Sequence, residues 1–123
     1  KAKEGEDPKP IERIPGSIFK GSVNSDYYLA LGSPDEIAVQ FRGSYHLTKT
    51  KRGANVVTYK PDGHIMGHLW DTTMENLSGR LYMADVPVGS GHVILFADDP
   101  TFRAYWRGLD RLFIASIIMS NSF

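Results

Sequence analysis

Cysteine is absent from this chain, and several classes of protein are excluded on that ground alone. With no Cys among 123 residues, the chain has no disulfide framework, no thiolate zinc site and no cysteine nucleophile. A surplus of charge is also absent, because 14 basic and 14 acidic side chains balance at neutral pH. Nucleic-acid-binding domains usually carry surplus basic charge, so no nucleic-acid partner is predicted.

Long apolar runs are missing as well. No run approaches the roughly 20 residues that a helix needs to cross a bilayer, so no membrane span is predicted. Residues 1–10 lack the apolar core of a signal peptide, and the first residue is Lys1 rather than methionine. This beginning indicates a piece of a longer protein or a processed product. The apolar content of 41% is enough for one domain with a packed core.

The pattern along the chain predicts an arm followed by one domain. Residues 1–13 are charged and contain two prolines, which is typical of a linker or extended arm, and residues 14–123 are predicted to form a single α/β domain. Strands are predicted at 17–23, 37–42, 55–60, 65–70, 81–86 and 92–97, and helices at 26–32, 72–77 and from about 100 or 108 to about 120.

Two links between strands have recognisable chemistry. Residues 61–63, Pro-Asp-Gly, predict a turn that separates two strands, and the short link 87–91 permits only an antiparallel hairpin. The strand after that link is apolar on both faces, with Val93 and Leu95 on one and Ile94 and Phe96 on the other. We therefore expect it to be covered on both sides, as in a layered α/β domain.

The last helix is expected to have one core side and an unusual outer side. The residues predicted to face the core are Leu109, Leu112, Phe113 and Met119. Ile114 and Ile118 lie on the opposite side, where polar residues are the norm, so they predict an interface. The cover is either the N-terminal arm or another domain or subunit, including a second copy of the chain.

A polar cluster follows the strand 92–97, at the place where α/β sheets usually hold their ligands. Its members are Asp98, Asp99, Arg103, Trp106 and Arg107. Two interpretations remain for this cluster. Either it binds a small ligand, or an Asp caps a helix that begins at Pro100 while Arg103 ties the loop together.

Other motifs give no catalytic or metal site. His64 and His68 have the spacing of helical metal ligands, but Gly67 interrupts them on a predicted strand, so no metal ion is predicted. The sequence Gly89-Ser-Gly91 precedes a strand and fits a hairpin turn better than a phosphate loop. Ser44 near His46 is poor grounds for a hydrolase. No catalytic residue and no cofactor are predicted.

Several segments together resemble one known region. They are Ile14-Pro-Gly-Ser-Ile-Phe, the stretch from Asp26-Tyr-Tyr to Ile37-Ala-Val, Phe41-Arg-Gly-Ser44, Val86-Pro-Val-Gly-Ser-Gly-His-Val-Ile-Leu-Phe, and Asp99-Pro-Thr-Phe-Arg-Ala-Tyr-Trp-Arg-Gly108. Over roughly residues 14–120 the chain resembles the C-terminal region of large bacterial zinc carboxypeptidase-like proteins. That region is similar to the class I glutamine amidotransferase-like fold, a flavodoxin-like α/β sandwich.

The resemblance implies a layered sandwich with a mixed sheet, of which this shorter chain is the C-terminal part or a reduced version. It implies a non-catalytic accessory domain that packs on or orients the peptidase domain of the same parent chain, in a periplasmic or secreted setting. The family's zinc-binding His-x-x-Glu and the amidotransferase cysteine are both absent, so none of their roles is carried over. The alternative is a small-ligand binding module at the C-terminal edge of the sheet.

Overall fold

A five-stranded sheet dominates the structure, a computed structural model that describes residues 9–104 and 106–122. The strands are β1 (Ile14–Val23), β2 (Glu36–Gly43), β3 (Ala54–Gly67), β4 (Leu81–Val88) and β5 (Gly91–Phe96). The described residues also form two α-helices, α1 (Thr73–Leu77) and α2 (Asp110–Ile118). Three 3₁₀ turns lie at Tyr28–Ala30, Phe102–Ala104 and Ser120–Ser122. The strand order is β2-β1-β3-β4-β5, and each of these four pairings is antiparallel.

The core lies inside the curl of this sheet. Strand β2 alternates as its sequence predicts, and Val39 and Phe41 are completely buried. The rings of Phe19, Phe41 and Tyr59 meet edge to face, with centroids 6.0–6.3 Å apart. Three consecutive strands in space, β2, β1 and β3, are therefore joined through one aromatic cluster.

The sheet curls far enough for its two edges to approach each other. Arg42 lies near the end of edge strand β2, and Asp98 follows edge strand β5. The Nε of Arg42 donates to Oδ2 of Asp98 at 2.9 Å, and a second guanidinium nitrogen binds Oδ1. From inside the curl, the Tyr59 hydroxyl donates to the backbone carbonyl of Gln40 at 3.1 Å. Side chains thus link the two edges.

Helix α2 packs on the sheet as the sequence predicts. Leu109 and Leu112 are completely buried, and the ring of Phe113 lies 6.3 Å from that of Phe96 on β5. The guanidinium of Arg111 donates to the carbonyl of Leu31 at 2.9 and 3.0 Å, which fixes the helix against the turn Tyr28–Ala30. The predicted core side of the last helix is confirmed, and the helix begins after Gly108 rather than at Pro100.

The predicted turn at residues 61–63 is wrong. Strand β3 continues through it to Gly67, because the Pro-Asp-Gly segment forms a bulge within the strand. Gly21 of β1 pairs with Tyr59 and Phe19 pairs with His64, so residues 60–63 lie opposite Lys20 alone. Asp62 adopts a φ of 53° there, so turn chemistry bends the strand without ending it.

The hairpin of β4 and β5 is confirmed, but the expectation that β5 is covered on both faces is wrong. Val93 and Leu95 are 43% and 39% exposed. Burial alternates along β5, so only the face bearing His92, Ile94 and Phe96 packs against the rest of the protein, and the opposite face of the strand is exposed. The turn itself is two residues long, Gly89–Ser90, and Gly89 has a φ of 61°.

The coarse fold class is confirmed, since the chain combines a sheet with a few short helices. The layered, flavodoxin-like arrangement is not confirmed. The four strand pairings are antiparallel, whereas the resemblance implied a mixed sheet. Most of the predicted arm, residues 1–8, lies outside the described residues, but Ile11 is buried in the core at 4% exposure.

None of the helices in the described part of the chain has the length and apolar character that crossing a membrane requires.

Candidate functional site

The most distinctive polar group of the structure is the carboxylate of Asp85, which is 3% exposed in the middle of β4. Its Oδ2 accepts hydrogen bonds from the hydroxyls of Tyr27 at 2.8 Å and Tyr28 at 3.1 Å. The Nδ1 of His92 lies 2.8 Å from Oδ1 and 2.9 Å from Oδ2. A buried carboxylate is costly unless donors surround it, and here three side chains do so.

Local geometry explains why these four residues meet. The two-residue turn sets the hairpin register so that Asp85 faces Ile94, which makes His92 its diagonal neighbour across the strands. Tyr28 begins the 3₁₀ turn that follows β1, Tyr27 directly precedes that turn, and the two ring centroids lie 4.7 Å apart. Consecutive tyrosines reach one carboxylate because the tight turn brings both hydroxyls to the same side.

His92 is bound at both ring nitrogens. Its Nε2 lies 2.6 Å from the backbone carbonyl of Ser120, just beyond α2, while its Nδ1 contacts Asp85. Both partners are acceptors, so both nitrogens donate and the ring is an imidazolium. The hydrogen bond to the Ser120 carbonyl, followed by that to Asp85, raises the pKa of His92 above 6.5. His92 therefore fastens β5 to the end of the chain and is not available as a general base.

The tyrosines stay protonated at neutral pH. Burial, together with the hydrogen bond to and charge of Asp85, raises the pKa of the Tyr27 hydroxyl well above its usual range. Burial and the charge of Asp85 also raise the pKa of Tyr28. Both hydroxyls therefore remain donors to Asp85, and the oxygen of Tyr27 keeps a lone pair for another partner.

A surface cavity of about 500 Å³ adjoins this cluster. It is lined by Tyr27, Tyr28, Arg52, Gly53, Ala54, Asp85, Pro87, Gly89, Ser90, Gly91 and His92. The backbone N–H of Arg52 donates to Thr50, but its guanidinium has no hydrogen-bond or ion-pair partner within residues 9–104 and 106–122. A Cβ on Gly53 would lie 2.1 Å from the carbonyl oxygen of Asp85, so only glycine lets this segment approach β4.

The acidic part of the predicted cluster is engaged in local structure. Asp98 is held by Arg42 and not by Arg103, the residue proposed for that role. The Oδ1 of Asp99 accepts from the backbone N–H of Thr101 at 2.8 Å and from its hydroxyl at 3.0 Å, which closes a tight turn. These two carboxylates organise the loop rather than face a cavity together.

The basic and aromatic members are dispersed. Arg103 is exposed with a φ of 54°, and its guanidinium lies 5.0 Å from the ring centre of Phe102. The Nε1 of Trp106 is buried without a hydrogen-bond partner within the described residues. Arg107 pairs with Asp110 at 3.2 Å on the helix surface. None of the five residues of the predicted cluster lines the cavity beside Asp85.

The histidine and serine candidates have local contacts. Nε2 of His64 contacts the carbonyl of Gly67 at 3.0 Å, and the ring of His68 meets that of Trp70. Nδ1 of His46 lies 3.1 Å from the backbone carbonyl of Ser44, not its hydroxyl. Within the described part of the chain, no group of three His, Cys, Asp or Glu side chains is placed to hold a metal ion.

The sequence reasoning missed the Asp85 cluster. One signal was available, since Asp85 is the single charged residue in the strand sequence Leu-Tyr-Met-Ala-Asp-Val at 81–86. A charge at a buried strand position requires partners, and such sites are frequently functional.

We compared the chain with protein-family models, curated proteins and solved structures, and none of them matches it.

Proposed function

We propose that this chain is a non-catalytic accessory domain that docks, through the outer side of α2, on the peptidase domain of the same parent chain. The observation that carries the proposal is the exposure of three isoleucines on that helix. Ile114, Ile117 and Ile118 are 51%, 61% and 70% exposed. Two of them were predicted as interface residues, and Ile117 extends the surface.

The spacing of these residues makes them one surface. Positions 114, 117 and 118 are three and four residues apart, so their side chains lie on one side of the helix. Three adjacent aliphatic side chains in water mark an interaction site more often than an ordinary surface. Full burial of an exposed isoleucine contributes roughly 1.5–3 kcal/mol, so each of these partly exposed side chains would contribute a part of that amount to the docking contact.

The resemblance supplies the partner and the setting. The quoted motifs at 14–19, 26–39 and 86–108 resemble the region that follows the peptidase domain in zinc carboxypeptidase-like proteins. A periplasmic or secreted location follows from the same resemblance. The layered, flavodoxin-like fold also belongs to that expectation, and the antiparallel order of the described strands does not support that part of it.

The hydrogen bonds of His92 and His46 support a non-catalytic role. Both ring nitrogens of His92 donate to fixed acceptors, and His46 contacts a backbone carbonyl rather than the Ser44 hydroxyl. Neither arrangement leaves a base beside a nucleophile. The alternative of a ligand module at Asp98 and Arg103 stays a prediction.

The test begins with the coding sequence around this segment. An upstream peptidase domain with a His-x-x-Glu motif is expected, and a reading frame without one overturns the proposal. With that domain in hand, co-expression should give a stable complex. Changing Ile114→Lys and Ile118→Lys together should abolish it, whereas Ile65→Lys, at an exposed position of β3, should not.

Sedimentation of the chain alone tests whether a second copy of the chain, rather than the peptidase domain, occupies this surface. A monomer that binds the peptidase domain supports the proposal. A dimer that the same double variant dissociates shows instead that the surface joins two copies of the chain.

A further inference from the structure

We infer that the cavity beside Asp85 is a binding site for a small organic anion, a carboxylate or phosphate ester that also carries a hydroxyl or a planar ring. This site is separate from the docking surface of α2. Its walls are the turn with Tyr27 and Tyr28, the segment at Arg52, and the β4–β5 turn at Gly89–Ser90.

The charge of the ligand follows from which charges are already balanced. The negative charge of Asp85 is matched by the imidazolium of His92, which contacts both carboxylate oxygens. Arg52 therefore gives the lining a net charge of one positive unit. Its guanidinium has no hydrogen-bond or ion-pair partner among the described residues. A forked guanidinium at the rim binds carboxylate or phosphate through two parallel hydrogen bonds and repels cations.

The size of the ligand follows from the lining. A volume of about 500 Å³ lies within the range of small-molecule sites. Gly53, Ala54, Gly89 and Gly91 contribute almost no side-chain bulk, and a Cβ on Gly89 would meet no atom within 4 Å. The cavity therefore has room for a molecule larger than a bare inorganic ion.

The chemistry of the rest of the ligand follows from the two tyrosines. Their rings lie tilted by 58° and form an aromatic wall. Because both hydroxyls are held by Asp85, their orientations are fixed before any ligand arrives. The hydroxyl oxygen of Tyr27 can still accept from a ligand hydroxyl, while the two rings contact a flat apolar surface.

The experiment is a titration of the full chain followed by amide chemical shifts in the nuclear magnetic resonance spectrum. The probes are 4-hydroxybenzoate, phenyl phosphate, inorganic phosphate and the neutral 4-hydroxybenzyl alcohol. Saturable shifts at residues 27–28, 52–54 and 89–92 are expected with at least one of the two organic anions, at concentrations up to about 10 mM. Whether 4-hydroxybenzoate or phenyl phosphate binds more tightly distinguishes a carboxylate from a phosphate ester.

Matched arginine variants test the residue that carries the inference. Arg52→Gln should weaken binding by about tenfold or more, Arg52→Lys should retain part of it, and Arg107→Gln should leave it unchanged. Arg52 is exposed, so these variants are expected to fold, and their spectra without ligand verify it.

Four results would overturn the inference. They are no saturation with either organic anion, equal binding of the neutral alcohol, equal binding of inorganic phosphate, or undiminished binding by Arg52→Gln. Shifts confined to residues 98–107 would place the site at the predicted loop instead. The Ile114→Lys, Ile118→Lys variant should bind the anion normally, so failure of this site and failure of the docking proposal are distinguishable.

Discussion

The carboxylate of Asp85 is almost fully removed from water, yet it carries a full charge matched by His92. Such a group destabilises a fold by several kcal/mol when its donors are lost, because nothing else solvates it. Here the donors come from two separate parts of the chain, the turn at Tyr27–Tyr28 and strand β5. His92 of β5 also donates to the carbonyl of Ser120, which brings the end of the chain into the same network. One side chain therefore ties distant segments together.

Replacing this carboxylate should be costly. Asp85→Asn keeps the shape but offers only one acceptor oxygen to two tyrosines and an imidazolium, so the free energy of unfolding should fall by about 2–4 kcal/mol. Asp99→Asn is the control, since it keeps the acceptor for the Thr101 turn and should change stability by less than about 0.5 kcal/mol. Urea denaturation measures both, and equal losses would contradict a special role for Asp85.

The protonation of His92 predicts how stability depends on pH. Its pKa is raised in the folded protein by the Ser120 carbonyl and by Asp85. The stabilisation is thus fully present below the unfolded value of 6.5 and is lost as the pH rises through the folded value. The melting temperature of the protein should exceed that of His92→Gln by more at about pH 5.5 than at about pH 9. A gap that is constant or grows with pH would show that the ring is neutral.

Individual residues differ in how far the sequence predicts their roles. The exposure of Ile114 and Ile118 follows from helical periodicity alone, so it was predictable. The role of Asp85 depends on Tyr27 and Tyr28, which are 58 and 57 positions away, and no local pattern records that pairing. The sequence marks Asp85 as an anomaly within an apolar strand but does not name its partners.

Whole elements were predicted best where two local signals agree. For β4 and β5, apolar strand patterns flank a glycine-rich link, and the hairpin follows. For β3 the signals conflict, because Pro61 and Gly63 predict a turn while Tyr59 and His64 pair with the same neighbouring strand. Pairing with β1 prevails on both sides of the segment, so the turn residues become a bulge.

The two sides of α2 should respond differently to substitution. Leu112→Ala removes a fully buried side chain and should reduce the free energy of unfolding by about 2–5 kcal/mol. Ile118→Ala, at a position 70% exposed, should change it by less than about 0.5 kcal/mol in the isolated chain. Thermal and urea denaturation compare the two. A large loss from Ile118→Ala would mean that this side is covered within the chain and would remove the basis of the docking surface.

The whole molecule is organised by a contact between the two edges of the sheet, here called the closure of the sheet, which the sequence does not reveal. Arg42 and Asp98 are 56 positions apart and belong to opposite edges of the sheet, so only the curl of five strands brings them together. One interpretation of the sequence expected Arg103 to tie the acidic loop together, whereas the cation that holds Asp98 is Arg42. The cavity beside Asp85 has the same origin, because it lies between three segments that are remote in the chain.

Breaking this closure should loosen both edges of the sheet. The Asp98 side chain is 10% exposed and that of Arg42 is 38% exposed, and the guanidinium also lies 4.2 Å from the ring centre of Phe102. Arg42→Met keeps most of the packing but removes the ion pair, so it should cost about 1–3 kcal/mol. Arg107→Met, which breaks the exposed pair with Asp110, should cost less than about 0.5 kcal/mol.

Amide hydrogen exchange tests whether the Arg42–Asp98 pair holds both edges of the sheet together or stabilises only its own surroundings. If Arg42 and Asp98 link the edges, Arg42→Met should speed exchange in β2 and also in β5, which lies at the far edge of the strand order. The double variant Arg42→Met, Asp98→Asn should then lose little more stability than either single variant, because both remove the same interaction. Additive losses, or faster exchange in β2 alone, would show that the sheet is held closed by its aromatic core and not by this pair.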